Sequence, residues 1–467
     1  MKDGSFKNLR FFVAGDSAFS GLVAVGLARQ GVNAKLITAP DSIAIGIAAA
    51  NALPTESIGY PAFLPQGGLD EASHLVMFPA DLCEMVLWLC NTADFFDPKG
   101  RRAPLQVFVG APTIDSFSAV RRGALSAEQN PNLAVRFFLP EQDIARDFLY
   151  EHFTQSSRSL VMADGFFLVG SGPIAESLAL KIARLGGQLD GAKPSLDWVV
   201  PGEYATHIRA TYPELKEACI LTLHSSDSGV HTVLESLALP TKVLILAEGA
   251  KTLELLFGIG DRKILRQFAG TYIADFQSKR LNNIFRKRFE WGADLGSIRF
   301  FGDLSCIASI ERFQEEGRFG LPRSIHERYC QSRIAAGELA ADNPSLQPWD
   351  QIGEDLRQAN QEQADHILYK LSLLGYCLEN DPQAKGPPIV FSNDEFESLA
   401  KLEHLRWSAD RRLAGWRYGK IRDNELRRHP MLVPYDQLPE SEKEKDRQTV
   451  RDVPFVLRGA GLIPRRL

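Results

Sequence analysis

The sequence predicts an α/β chain: two parallel-sheet units in tandem, followed by a mainly helical C-terminal region. Three observations carry this expectation. Short apolar runs alternate with amphipathic stretches up to about residue 310, the pattern of strand–helix–strand units with sheets covered on both faces. A glycine-bearing turn joins a strand-like run to a helix-like stretch in Phe166–Gly186, FFLVGSGPIAESLALKIARLG. From about Leu321 the texture changes to long helical patterns with Trp, Tyr and Arg. The expected boundaries are 1–155 and 160–310 for the two α/β domains and 322–458 for the C-terminal domain.

Composition bounds the function classes. The chain has 467 residues, 45% hydrophobic and 24% charged, which is ordinary for a folded multidomain protein. A net charge of −5 creates no global field that calls for nucleic acid or an anionic membrane. The longest near-apolar run, Ile43–Leu53, is shorter than the about 20 residues a bilayer span requires, and the N-terminus lacks the apolar core of a signal peptide. Six scattered cysteines without a C-x-x-C pair read as reduced thiols, not as a disulfide frame or zinc site. The expected location is cytoplasmic.

In the first unit, strands are expected at Arg10–Ala14, Lys35–Thr38, Leu75–Phe78, Gln106–Val109 and Ala134–Leu139. Helices are expected at Gly21–Gln30, Asp81–Phe95 and Glu141–Phe153. The first turn, Gly15-Asp-Ser-Ala-Phe-Ser-Gly21, resembles a degraded dinucleotide turn. Ser17 stands where a second glycine would let backbone approach a pyrophosphate, so a structural role is expected here. The stretch Asn51–Gly68 reads as a long irregular insertion.

The second unit opens with Gly170-Ser171-Gly172-Pro-Ile174-Ala175, which fits G-x-G-x-x-G/A between a strand and a helix. Gly170 permits the tight turn, and Gly172 admits a close backbone approach to phosphate. Ala175 lets helix and strand pack closely, while free N–H groups at the helix start face the anion. The helix Ile174–Leu185 carries Ile174, Leu178, Ile182 and Leu185 on one face. Further strands are expected at Leu196–Val200, Ala218–Leu223, Lys242–Ala247 and Ser297–Phe301, which makes the unit Rossmann-like.

Phe166–Gly249 resembles the NAD-binding module of the TrkA-N or RCK type, which regulates potassium channels and transporters. The GSGPIA turn and the stretch Ser225-Ser-Asp227-Ser-Gly carry the resemblance. It implies NAD(P) or another small nucleotide as ligand, a homodimer, and a separate membrane channel or effector chain as partner. Ser225 and Asp227 are equally good helix caps. The second strand ends in Pro201-Gly202-Glu203, without an acid at its tip, so Glu203 is the candidate for the ribose-binding carboxylate.

An NAD(P)-dependent oxidoreductase is the rival reading. Tyr212-Pro-Glu-Leu-Lys216 has Tyr-x-x-x-Lys spacing, but Pro213 opens a helix instead of continuing one, and chance explains the match. His224 and His231 lack partners at metal-ligand spacing. With no nucleophile or base in evidence, no catalytic residue and no metal site are expected. The stretch Asp261–Glu290, with Arg286-Lys-Arg288 at its centre, is read as a solvated surface and not a nucleic-acid interface.

In the C-terminal region, helices are expected at Ser324–Ala336, over Trp349–Leu378 as one long or broken helix, and from the Ser392-Asn-Asp-Glu395 cap to about Ala414, where Gly415 stops the last. There follow Trp416-Arg-Tyr418-Gly, Arg422-Asp, His429-Pro, Leu432-Val-Pro-Tyr435, Leu438-Pro-Glu440 and Lys445-Asp-Arg447. With His404-Leu-Arg406-Trp407, this series closely resembles the ryanodine receptor repeat, the RyR domain, in its bacterial single-copy form. Arg406, Trp407, Trp416, Tyr418, Arg422 and His429 offer aromatic faces and guanidinium forks, the ingredients of a nucleotide pocket. They suit core anchoring and local ion pairing equally well. The resemblance implies a noncatalytic ligand-sensing module. The expected function is therefore a regulator that couples a Rossmann nucleotide site to an RyR ligand- or partner-binding domain, in ion-channel regulation or defence signalling.

Overall fold

The computed structural model describes residues 9–57, 72–95, 104–121, 133–155, 165–187, 191–237, 242–248, 252–259, 262–274, 298–302, 307–341, 343–381, 383 and 388–466. The chain divides into two compact units, Met1–Asp143 with Leu304–Asn360, and Ile144–Asp303 with Gln361–Leu467.

In the first unit, β1 (Arg10–Ala14), β2 (Asn33–Thr38), β3 (Thr55–Ser57), β4 (His74–Met77), β5 (Leu105–Gly110) and β6 (Leu133–Phe138) form one parallel sheet. Its order is β3-β2-β1-β4-β5-β6. Order 3-2-1-4-5-6 is that of the Rossmann fold, whose crevice lies at the carboxyl edge between the first and fourth strands. Phe11, Val13 and Leu75–Met77 are buried, as strands covered on both faces must be. β3 lies inside the stretch read as irregular; Thr-Glu-Ser carries no apolar run to announce a strand. Residues 58–68 of that stretch lie outside the described residues.

Residues from the later segment Leu304–Asn360 complete this unit. The Phe313 ring packs tilted against Phe11 at 5.5 Å and edge-on against Phe108 at 4.9 Å. Arg136 of β6 pairs with Glu315 at 3.1 Å and with Asp350, and the Trp349 indole N–H also donates to Glu315. Gly26 lies so close to Ala308 that a Cβ on it would stand 2.7 Å from the alanine methyl.

The second unit repeats the topology. Strands β7 (Gly165–Val169), β8 (Ser195–Val200), β9 (Ile220–Ser225), β10 (Lys242–Leu246), β11 (Gly270–Ala274) and β12 (Ile298–Phe301) are parallel in the order β12-β11-β10-β7-β8-β9. β11 falls in the stretch read as a charged surface; it is buried throughout, and the charges on its flanks hid it. Asp261 and residues 275–297, including Arg286-Lys-Arg288, lie outside the described residues.

The C-terminal part of this unit contains the helices Asn393–Leu413 and Glu440–Gly459 and the antiparallel pair β13 (Tyr376–Asn380) and β16 (Leu462–Arg466). Between the two helices, β14 (Arg417–Tyr418) pairs with β15 (Arg428–His429). Of the two readings of Trp349–Leu378, a long or a broken helix, the structure has the broken one: the helix covers Glu354–Leu373, and Gly375 at φ +77 turns the chain into β13. The capping box is formed, with the Glu395 N–H donating to Ser392 Oγ at 3.3 Å and the Ser392 N–H to Glu395 at 2.9 Å. Gly415 at φ +81 ends that helix.

The glycine-turn helix, Pro173–Arg184, is buried on more than its sheet-facing stripe. Lys181 reaches Glu362 at 2.6 Å and Asp365 at 2.5 Å, and Arg184 reaches Asp410 at 3.3 Å. The Tyr369 hydroxyl donates to the Gly187 carbonyl at 2.8 Å. The helix therefore lies between the sheet of its own unit and the C-terminal helices. Among the described residues no helix is long and apolar enough to cross a membrane.

Candidate functional site

Two places in the second unit gather the residues singled out from the sequence. The first is the glycine turn between β7 and its helix. Gly170 has φ +139, and a Cβ there would lie 2.3 Å from the Ala247 carbonyl oxygen. Gly172 has φ +90, with open space around the position of a Cβ. Trp198, fully buried in β8, donates its indole N–H to the Gly170 carbonyl at 2.9 Å and holds the turn. Ala175 is buried and Ile174 half-buried. No side chain caps the helix, and Pro173 opens it, which leaves backbone N–H groups to meet an anion.

The N–H groups of the turn just before the helix already have partners. The Ser171 N–H and hydroxyl donate to the two oxygens of Glu248, at 2.6 and 2.7 Å. The Gly172 N–H donates to the Tyr204 hydroxyl at 2.8 Å. Tyr204 in turn donates to Glu176, and Tyr212 donates to the other oxygen of the same buried carboxylate at 2.6 Å. Burial and the Glu176 hydrogen bond push the Tyr204 phenol upward, so it stays protonated as a donor. The Tyr212 hydroxyl is thus engaged with Glu176. Glu248 was not singled out from the sequence. Its signal was an acid two residues past the fourth strand of this topology, where side chains face the turn.

Ser225 and Asp227 serve the neighbouring helix. The Gly202 N–H donates to Asp227 at 3.2 Å, and the Asp227 N–H donates to Ser225 Oγ at 3.2 Å. Glu203 is exposed in the first turn of the helix Gly202–Thr211. In the first unit, Asp16 accepts from the Thr38 hydroxyl at 2.9 Å and from the Ala39 N–H at 2.7 Å. A side chain from the turn thus fills the tip of the second strand, where a ribose would be held. His224 pairs with Asp197 and His231 with Glu235, and no metal-binding cluster occurs among the described residues.

The second place is on the helix Asn393–Leu413 and the loop after it. Trp407 stacks on His404 at 5.6 Å, and His429 stands edge-on at 5.0 Å from Trp407 and 6.0 Å from Trp416. The Arg411 guanidinium lies 5.9 Å from the Trp407 ring and 5.4 Å from the Trp416 ring. Its Nε is buried without a hydrogen-bond partner. Such an orphan donor costs about 1–3 kcal/mol until something accepts from it. Arg422 and Tyr418 are exposed on the same loop. His429 Nδ1 accepts from the Met431 N–H at 3.1 Å, which assigns its proton to Nε2. Burial, then Arg422 and Arg411, lower its pKa, so the ring is neutral at pH 7.

Arg406 does not belong to this cage. It is buried and grips Glu403 through Nη2 at 2.7 Å and Nε at 3.1 Å, while Lys370 reaches the same carboxylate at 2.5 Å. Burial alone would raise the Glu403 carboxyl; Arg406 and Lys370 outweigh it and hold the group well below the usual carboxylate range. Arg447 likewise makes a two-pronged pair with Glu397, which also accepts from the Tyr435 hydroxyl at 3.0 Å. Several motif residues thus hold the fold, while Trp407, Arg411, Trp416 and His429 face one another.

The strand orders define two Rossmann-type α/β sheets, the class of fold to which dinucleotide-binding proteins belong. Residues 392–462 match the RyR domain family. Among solved structures, the chain is similar to a dipicolinate synthase from Bacillus subtilis, at 10% identity over 65% of this chain and 91% of that one, with a TM-score of 0.22. The dipicolinate synthase of Bacillus halodurans matches at 11% identity over 66% and 93%, also with a TM-score of 0.22. At those values the fold assignment rests on strand order and register, not on the likeness.

Proposed function

We propose that the protein is a ligand-responsive regulator: a small anionic ligand with a flat ring enters the RyR-domain cage, and a nucleotide enters the glycine turn of the second Rossmann unit. The observation that carries the first half is the Arg411 guanidinium, its Nε unsatisfied between two indoles. A flat ring can stack on Trp416, and a phosphate or carboxylate can accept from Arg411 and Arg422. The second half is supported by the strand order and by the positive φ of Gly170 and Gly172. Regulation follows if the two ligands bind the unit's conformations with different affinity, which is the most any ligand can contribute to a shift. Read through the TrkA-N/RCK resemblance, the output is a separate effector or channel chain acting on a homodimer of this one.

The test is thermal shift and calorimetry of the full chain with NAD, NADP, ATP and cyclic nucleotides. A ligand of the cage should lose about 1–3 kcal/mol of binding free energy in Trp416→Ala, the worth of one base–aromatic stack, and a comparable amount in Arg411→Ala. The cage assignment is wrong if ligand affinity is the same in both variants as in the parent chain. The regulator reading as a whole fails if no member of the panel binds.

A further inference from the structure

We propose that Glu248 is an autoinhibitory latch: its carboxylate sits in the anion seat of the glycine turn and must leave before a diphosphate can enter. This rests on the nucleotide reading of that turn. At the start of the helix Pro173–Arg184, the Ser171 N–H and hydroxyl point at the Glu248 oxygens, at 2.6 and 2.7 Å. A pyrophosphate bound to the same turn needs the same donors, so the two anions exclude each other. A helix start favours one negative charge and discourages a second beside it. Here Glu176 already supplies a buried carboxylate in the first helical turn, and Glu248 adds another. Among the described residues no Lys, Arg or His pairs with Glu248, so its hydrogen-bonded partner is the turn itself.

Neutral groups close the other half of the seat. Gly172 donates to Tyr204, and Tyr204 is held by Glu176. A hydroxyl can rotate to donate to an incoming phosphate, whereas a carboxylate can only accept. Glu248 is therefore the carboxylate that occupies the Ser171 donors an anion needs, and its displacement is the step on which affinity depends. The apparent affinity is the intrinsic one reduced by the fraction of molecules with the seat open.

The experiment titrates ADP and inorganic pyrophosphate into the full chain by calorimetry, in a Trp416→Ala background so that the cage does not contribute. The chain is compared with Glu248→Gln and Glu248→Ala, and thermal melting establishes that each variant is folded. The latch predicts affinity at least about tenfold tighter for Glu248→Ala, as removing a conformational tax requires, and a smaller gain for Glu248→Gln. It also predicts faster amide hydrogen exchange at Ser171 in both variants without ligand. Equal dissociation constants in all three, with binding abolished by Gly172→Asp, would overturn the latch and leave the nucleotide site standing. No binding of either probe to any of the three proteins would remove the site and the latch together.

Discussion

Glu403→Gln is expected to destabilise the second unit by about 3–5 kcal/mol, the usual result of removing one partner from a buried ion pair. Glu403 lies between Lys370 and Arg406, and the three side chains are 5%, 2% and 11% exposed. The amide would deprive two buried cations of the carboxylate both of them contact directly. Urea denaturation of the full chain should show the change as a lower midpoint. Glu397→Gln is the matched control on the same helix. Its pair with Arg447 has comparable geometry but stands at the surface, where such pairs contribute about 0–1 kcal/mol. A Glu403→Gln effect no larger than that of Glu397→Gln would mean that the cluster is hydrated and not buried. The pH dependence has a definite sign. A carboxyl held below its unfolded value stabilises the fold fully above that value, near 4.3 for Glu, and loses the contribution as pH falls below it toward the folded pKa. Acid should therefore unfold the parent chain more steeply below pH 4.3 than Glu403→Gln.

The parts of this architecture visible in the sequence were those with a local signature. Buried parallel strands are apolar runs, so β1, β7 and β10 could be read within a residue or so at their ends. The cap at Ser392 with Glu395, and Gly415 past the helix end, are determined by neighbours three residues apart or closer. What escaped were features made by distant partners. β11 is flanked by charges, and β13 follows a helix with no break except Gly375. The return of residues 307–360 to the first unit depends on Arg136 meeting Glu315 and Phe313 meeting Phe108. At the sites the division is the same. Gly170 and Gly172 follow from the demands of a turn, but Glu248 is 77 residues from Ser171, and only the strand order brings them together. Arg406 and Arg411 sit on one helix among similar neighbours. Their separation into a buried ion pair and a cage cation is decided by Glu403 and Lys370 on one side and Trp416 on the other.

Gly186→Ala should cost roughly 3 kcal/mol or more, because two penalties of about 1–3 kcal/mol each combine there, one for positive φ and one for overpacking. Gly186 follows the glycine-turn helix at φ +77, and a Cβ on it would meet the Arg406 nitrogen and the Leu405 carbonyl carbon at 2.5 Å. Both contacts are backbone in the middle of the helix Asn393–Leu413, so no side chain can rotate aside. Gly191→Ala separates the two penalties. That glycine has φ +85 but nothing within 4 Å of its Cβ position, so only the backbone cost of about 1–2 kcal/mol remains. If both variants lose the same stability, the two helices are not in contact at Gly186. If Gly186→Ala loses much more, the helix that begins at the glycine turn ends against the helix that carries Arg411 and Trp407. A displacement at one end of that rigid rod must then be accommodated at the other, which gives the proposed regulation a physical route. Amide exchange at Ser171 and Gly172 should rise in Gly186→Ala and stay unchanged in Gly191→Ala. Unchanged exchange at the turn in both would confine the effect to local packing and remove that route.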